Sequence, residues 1–352
     1  MKKILHLFRS EKFTGGFVQF MNSELKFEHT FWVYGEDYIQ AQEETAYLKE
    51  MNVRYYPRID IKLNKTSTEE QMKKFDLIIY HGIFDNLIID YFFKHKILLE
   101  KLVLYFWGGD KNIESNWKSN MKRKYVIKNS TAIVTIIPQD YIDIKKRYQP
   151  RGKHFCAKYS DIKGMDILNF MEKNHSKKNI NIQIGNSATD TNRHIDILNI
   201  LEKYKEKNIR IYVPLSYGEK EYAKKVIEYG KNVFGEKLIP LTKFMSLEEY
   251  YLLMGKIDIA IFNMVRQQAL GNIWFQMQLG KKIYLNRDGE LWDYFVNDLK
   301  CDISAVDEIS RSSFEQFVEF SKEKQQYNTA IINKNFSREK SIRQWEEIFN
   351  TL

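Results

Sequence analysis

Cysteine is nearly absent: Cys156 and Cys301 are the only two in 352 residues. No Cys-x-x-Cys and no Cys/His metal spacing occurs, so neither a zinc module nor a disulfide framework is written into the chain. Both thiols are expected to be free, in a reducing compartment. Long apolar runs are missing too. None approaches the roughly 18 residues that a membrane-crossing helix needs. The densest stretch, Phe75 to Trp107, is interrupted by Asp76, His81, Asp85, Asp90, Lys94, Lys96, Glu100 and Lys101. The opening MKKILHLFRSEKF has no small-residue cleavage site and reads as a first strand rather than a signal peptide. There is no GxxxxGK[ST] and no GxGxxG, which excludes a Walker A loop and leaves a dinucleotide fold without its fingerprint. Repeats and low-complexity tracts are also lacking.

What is present is a soluble, globular composition, with 43% apolar, 29% charged and 14% aromatic residues. The length is too great for one ordinary domain and sufficient for two. The formal charge of +9 and the pI of about 9.1 suit an anionic partner: nucleic acid, a phosphorylated small molecule or an anionic membrane surface. A lysine-rich composition by itself accounts for the charge equally well.

Strands alternate with helices nearly throughout, the pattern of parallel α/β sheets. In the first half, strands are expected at KKILHLF, HTFWVYG, DLIIYHG, KLVLYFWG and TAIVTII. A second series follows at INIQIGN, IRIYVPL, KLIPLT, IDIAIF and KKIYLN. The resulting division is a Rossmann-like domain over 1–155, a linker over 156–178, a second such domain over 179–325, and a helical segment over 326–352 that packs back on the first domain. Two parallel-sheet domains facing a central cleft would bind ligands outside the carboxyl ends of their strands. The residues that follow each strand are therefore the candidates.

After INIQIG comes NSATDTNRH, which supplies Asn186, Ser187, Thr189 and Arg193 just before a helix. One or two of these suffice as N-caps; the rest of so dense a polar run could hold phosphate through helix N–H groups. The stretch IAIFNMVRQQALGN has the same form and offers Arg266, Gln267, Gln268, Gly271 and Asn272. An arginine there can pair with a diphosphate, the glutamines can bond hydroxyls, and a glycine admits close backbone approach. The loop TKFM, from Thr242 through Lys243 and Phe244 to Met245, lies at the same sheet edge and is the candidate nucleoside contact. In the first half, SEKFTGGF contributes Gly15 and Gly16, YHGIFD contributes His81, and FWGGDKN contributes Trp107 and Asp110. The plainer reading of His81, and generically the commoner one, is a helix-capping or satisfied core histidine; that of Asp110 is an N-cap. An aromatic wall beside a carboxylate suits a sugar.

A diphosphate-holding second domain and a sugar-fitting first domain describe a nucleotide-sugar glycosyltransferase of the two-Rossmann, GT-B kind. Its chemistry is positioning plus electrostatic stabilisation of the leaving diphosphate. If the anomeric centre inverts, a base must take the acceptor proton; Asp110 is the candidate, with His81 second. Single-domain transferases usually hold a metal through Asp-x-Asp, which occurs nowhere in this chain. The nearest approach, Asp288 to Glu290, reads as a turn. No essential metal and no cofactor are expected.

The motifs IQIGNSATDTNRHIDIL, IRIYVPLSYG and FMSLEEYYLLMGKIDIAIFNMVRQQALGNIWFQMQLGKKIYLNRD, with YHGIFD and WGGDKN, resemble glycosyltransferase family 56, the TDP-N-acetylfucosamine:lipid II N-acetylfucosaminyltransferase (4-alpha-L-fucosyltransferase) family. The likeness runs from about Phe75 to about Asp293; the first seventy residues match poorly, and WGGD departs from a Trp-Gly-Ala-Asp pattern. The resemblance implies a GT-B fold, a dTDP- or UDP-linked sugar donor and a polyprenyl-diphosphate-linked saccharide acceptor. It also implies a peripheral position on the inner face of a bacterial inner membrane. The basic segment NWKSNMKRKYVIKNS, with Lys118, Lys122, Arg123, Lys124 and Lys128 near Trp117, Met121 and Tyr125, could lie on anionic lipid or be an ordinary solvated face. Two rival readings stand beside the transferase: a two-Rossmann nucleotide-sugar epimerase, and a basic nucleic-acid binder. The transferase reading expects no nucleic acid. Neither the sugar, the base, the acceptor nor the stereochemical outcome follows from the residues.

Overall fold

A computed structural model describes residues 1–11, 14–35, 52–113, 116–159 and 179–352. The chain divides into two compact units, Met1–Asp161 with Arg338–Leu352, and Ile162–Ser337.

The first unit is built on β1 (Lys3–Arg9), β2 (Glu28–Tyr34), β3 (Val53–Tyr56), β4 (Leu77–His81), β5 (Leu102–Phe106), β6 (Ala132–Thr135) and β7 (Lys153–Cys156). Their order is β3-β2-β1-β4-β5-β6-β7, and each printed pairing is parallel. The central strands are apolar on both faces, as a sheet covered on both sides requires. Alternate residues supply two separate core layers. Leu5, Leu7, Ile78, Tyr80, Leu102 and Leu104 pack on one side with α2 (Asn86–Lys94), α3 (Trp117–Asn129) and α4 (Pro138–Tyr148). Ile4, Phe8, Phe31, Ile79 and Val103 pack on the other with α1 (Thr14–Glu24) and the last helix, Arg338–Thr351.

In the second unit the strands are β8 (Ile180–Ile184), β9 (Ile209–Pro214), β10 (Leu238–Leu241), β11 (Ile259–Phe262), β12 (Lys282–Leu285) and β13 (Ser304–Ala305). The order is β10-β9-β8-β11-β12-β13, again parallel. Its principal helices are α5 (His194–Leu201), α6 (Lys220–Phe234), α7 (Leu247–Lys256), α8 (Leu270–Gln278) and α9 (Lys322–Asn335). Both sheets thus run outward in one direction, return to the first strand, and run outward in the other. That reversal falls between β1 and β4 in one unit and between β8 and β11 in the other, and it opens the crevice where such sheets hold ligands.

Strands β3, β7 and β13 were not anticipated from the sequence. VRYY and KHFC are short and partly exposed, so they carry no apolar alternation; Ser304–Ala305 is a two-residue edge. The linker expected at 156–178 begins on the last residue of β7, and 160–178 lies outside the described residues. The helical tail consists of two helices, Lys322–Asn335 and Arg338–Thr351. α9 belongs to the second unit, and Arg338–Leu352 to the first.

Candidate functional site

In the second unit, the loops that follow β8 and β11 flank the strand-order reversal. Gly185 has φ +65°, and a Cβ there would lie 2.4 Å from His194 Nε2 and 2.8 Å from Asn192 Oδ1, so only glycine fits. The chain then folds around one buried side chain. Asn192 Nδ2 donates to Ser187 O at 3.0 Å and Thr189 Oγ1 at 2.8 Å, while its Oδ1 accepts the Asn186 N–H at 3.1 Å. The rim of this loop reaches across the reversal. Thr191 Oγ1 donates to Gln268 Oε1 at 3.0 Å, and Gln268 Nε2 donates to Asn186 Oδ1 at 3.4 Å. Asn186 Nδ2 also donates to the Tyr217 hydroxyl at 3.0 Å, beyond β9. Asn186, Thr189 and Gln268 are therefore brought together. Ser187 is turned inward, buried and bonded to Thr189. Arg193 is exposed, in left-handed backbone at φ 52°.

The second loop carries the positive charge. Arg266 is half-buried; burial draws its guanidinium below its ordinary pKa, against the opposing pull of Glu290 and Asp190. Gln267 is buried, and its main-chain N–H donates to Glu290 Oε2 at 2.7 Å. Asp288 and Gly289 do lie in a turn, but Glu290 opens a short helix, Glu290–Trp292, and has this further task that the sequence reading missed. α8 begins at Leu270, so Gly271 and Asn272 sit in its first turn rather than in the loop. Its N-cap is Ala269, in left-handed backbone, with no side-chain acceptor to offer. The first intrahelical bond is Ile273 N–H to Ala269 O at 3.0 Å. A helix start left uncapped by side chains, with an arginine beside it, can hold an anion of phosphate size. Beneath both loops, Gln276 Nε2 donates to Gln183 Oε1 at 2.9 Å, and Gln183 Nε2 donates to Gly185 O at 3.1 Å. These buried amides tie α8 to β8. At the same edge, Thr242, Lys243 and Phe244 are exposed after β10 and Met245 is half-buried. Tyr217 is likewise exposed after the adjacent strand β9.

The first unit treats its candidates differently. Asp110 is fully buried: Oδ2 accepts the Ile83 N–H at 2.7 Å and Oδ1 the Trp107 N–H at 2.9 Å. It locks the loop after β5 to the loop after β4, and burial raises its carboxyl to about 6. His81 is also fully buried. Its Nε2 lies 3.0 Å from His6 Nδ1, and His6 Nε2 lies 3.0 Å from His29 Nδ1. At the other end, His81 Nδ1 meets the Tyr159 hydroxyl at 2.8 Å, which accepts the Trp107 indole N–H at 3.1 Å. The two residues expected to serve as base are thus engaged inside the fold rather than presented at its surface. Trp107 is half-buried, and Gly82, at φ +66°, gives it room, since a Cβ there would lie 2.9 Å from its ring. Gly15 and Gly16 fall in the first turn of α1, where a Cβ on Gly16 would meet nothing within 4 Å.

With this geometry in view, a family model described as 4-alpha-L-fucosyltransferase, glycosyl transferase group 56, matches residues 1–349. The chain belongs to that glycosyltransferase family. The match takes in the first seventy residues, which the motifs alone left unmatched. Solved structures agree on the architecture. A glycosyltransferase from Rickettsia africae ESF-5 aligns at TM-score 0.75 with 13% identity, over 99% of this chain and 98% of that one. Anabaena Alr3699/HepE in complex with UDP and glucose aligns at 0.69 with 12% identity, over 100% of both chains. The UDP-GlcNAc 2-epimerase from Neisseria meningitidis bound to UDP-GlcNAc aligns at 0.58 with 16% identity, over 99% and 100%. At these identities the structures establish the fold, which is GT-B.

The family 56 chain also corrects the reading of its basic helix. Arg123 is buried and donates to Ile83 O at 2.6 Å, and Lys122 donates to Asp90 at 2.7 Å. Neither is available to a membrane. What α3 turns outward is Trp117, Met121 and Tyr125, at four-residue spacing and 74%, 45% and 36% exposed, with Lys118 and Lys124 alongside. Among the described residues, no helix is long and apolar enough to cross a membrane, and no group of three or more His, Cys, Asp or Glu could hold a metal ion.

The histidine chain makes a pH prediction for this transferase. His6 is linked through both ring nitrogens inside the core, and burial there disfavours its charged form. Burial holds His6 and His81 well below the ordinary histidine range, and His29 at about 4. The unfolded chain binds protons near pH 6.5 that the folded chain refuses, so this stability is present above 6.5 and lost as pH falls through the folded values. Asp110, raised to about 6, works in the opposite sense below that pH. Burial also holds His154 and His194 at about 4, so five imidazoles outweigh the one carboxyl and stability falls as pH drops below 6.5. Urea unfolding between pH 7 and pH 5 should show a falling midpoint. A flat midpoint over that range would contradict the burial of these neutral rings.

Proposed function

We propose that this glycosyltransferase moves a sugar, such as the amino-deoxy sugar N-acetylfucosamine, from a dTDP- or UDP-linked donor to a polyprenyl-diphosphate-linked saccharide in surface polysaccharide assembly. The observation that carries the donor half is the joining of the Asn186–Arg193 loop to the Arg266–Gln268 loop across the second reversal, beside the uncapped start of α8. A leaving diphosphate has two needs there: positive potential and directed N–H groups. Arg266 and the first turn of α8 supply them. The nucleoside extends toward β9 and β10, where Tyr217 and Phe244 present exposed rings. HepE, which shares the fold, was crystallised with UDP and with UDP-glucose, and this supports a nucleoside diphosphate as the donor's handle.

The acceptor half rests on the family likeness and on α3. That helix contains no acidic residue, and its outward Trp117, Met121 and Tyr125 suit the boundary between headgroup and acyl chain, with lysines facing anionic lipid. The first unit would then rest on the cytoplasmic face of the inner membrane, where a lipid-linked acceptor presents its sugar.

Calorimetric titration with dTDP, UDP, GDP and CMP tests the donor reading. One diphosphate should bind selectively, with or without EDTA, and Arg266→Ala should abolish the heat. Binding of none would overturn it. Flotation with phosphatidylglycerol vesicles tests the membrane reading. Lys118→Ala with Lys124→Ala should weaken binding by about 2 kcal/mol, roughly thirtyfold, and Trp117→Ala should weaken it further. Equal binding to phosphatidylcholine alone, or salt-sensitive binding to oligonucleotides instead, would count against it.

A further inference from the structure

We propose that two carboxylates, Glu290 and Asp190, act as counter-charges to Arg266 and set how tightly it holds the nucleoside diphosphate, a role that rests on the donor reading above and lies within the second unit alone. Glu290 comes from the turn after β12, which is zipped onto the loop after β11. The Asn286 N–H donates to Phe262 O at 3.1 Å, and Asn286 Nδ2 donates to Asn263 O at 3.3 Å. The Glu290 N–H donates to Val265 O at 2.9 Å, and Glu290 Oε2 accepts the Gln267 N–H at 2.7 Å. Arg266 is the residue between those two grips. The two backbones approach so closely that glycine is required: a Cβ on Gly289 would lie 2.7 Å from Met264 O and 3.4 Å from Val265 O. Tied to a main-chain N–H, the half-buried Glu290 carboxylate stays in place when an anion arrives.

Asp190 comes from the loop after β8 and is exposed. Its neighbour Thr191 joins the same Arg266 loop by donating to Gln268 Oε1 at 3.0 Å. Both acids therefore adjoin residues that are hydrogen-bonded to the stretch carrying Arg266. Their charges reach it: burial draws the guanidinium down, and Glu290 and then Asp190 pull it back up.

A half-buried guanidinium is costly without an opposite charge nearby. An arriving diphosphate competes with these carboxylates for Arg266 and is repelled by them. Its affinity is thus a difference, in which Arg266 and the start of α8 attract while Glu290 and Asp190 oppose. Turnover needs such a balance, because release of a tightly held product limits many enzymes. A glutamate that only braced the loop would behave otherwise. Replacing it by an amide would then leave nucleotide affinity equal or lower, whereas removing a counter-charge makes affinity rise.

The experiment titrates the full chain with dTDP and UDP, and with dTMP and UMP, and follows nucleotide dissociation by stopped flow. In Glu290→Gln the amide oxygen can still accept the Gln267 N–H, so the loop keeps its tie and loses only the charge. This variant should bind the diphosphate that titrates about three- to tenfold tighter than the wild type, the effect of one unit charge beyond contact in a partly solvated site. The corresponding monophosphate should gain less, and the diphosphate should dissociate more slowly. Asp190→Asn should show a smaller gain in the same order. A wild type that binds the diphosphate, with a Glu290→Gln variant that melts normally and binds it within twofold or more weakly, overturns the counter-charge role and leaves the donor reading standing. Should Glu290→Gln melt earlier than the wild type, Asp190→Asn, altered at the surface, decides the matter alone: tighter diphosphate binding supports the role, and equal or weaker binding overturns it. No heat from the wild type with either diphosphate overturns the donor reading and the counter-charges with it.

Discussion

The second unit depends on one buried amide. A sheet whose strand order reverses leaves a gap at its carboxyl edge that only loops can fill, and a loop dense in polar groups has no reason to hold one shape. Asn192 gives it that reason. Both of its N–H donors and its carbonyl oxygen find partners within the Asn186–Thr189 stretch. Buried polar groups are costly unless satisfied, so the loop is fixed in the one arrangement that satisfies them. With the first loop fixed, its rim can reach Gln268 and order the second. Gln183 and Gln276 repeat the device one layer down, binding strand to helix. On the proposed reading the donor site is preorganised by groups that never meet the donor, and the residues left outward are the ones with charge or exposed rings.

The first unit solves the opposite problem. It carries a histidine chain in its core, and the topology assembles it: β2, β1 and β4 are neighbours, so residues 29, 6 and 81 meet despite their distance in sequence. Keeping those rings neutral requires burial, and burial is what removes His81 from any role at the surface. Asp110 follows the same logic. A carboxylate that accepts two main-chain N–H groups holds the loops of Trp107 and Ile83 in place; it does so by giving up its exposure.

Much of this was legible in the residues. Apolar runs followed at once by polar clusters marked the strand ends, and in a parallel sheet strand ends are where ligands sit. The fold class followed from the same alternation. What escaped was set by pairing in space. Asn192 looks like any helix-capping asparagine, because its partners all precede it within six residues. Gln276 sits in an apolar helix and Gln183 in an apolar strand, and each is tolerable only because of the other. His6 and His29 lie in hydrophobic stretches 23 residues apart, with no local hint of contact. Arg123 reads as one of a basic row, but the helical period turns it inward. Even short edge strands such as KHFC carry too little alternation to announce themselves.

The central claim is that the nucleoside diphosphate lies on the second unit, over the joined loops and the start of α8. Amide hydrogen exchange, measured with and without the nucleotide that titrates, tests it most directly. The account predicts slowed exchange confined to residues 186–193 and 266–273, with a smaller effect at 215–217 and 242–245. Protection confined to the first unit, or none at these loops despite saturating nucleotide, would contradict it.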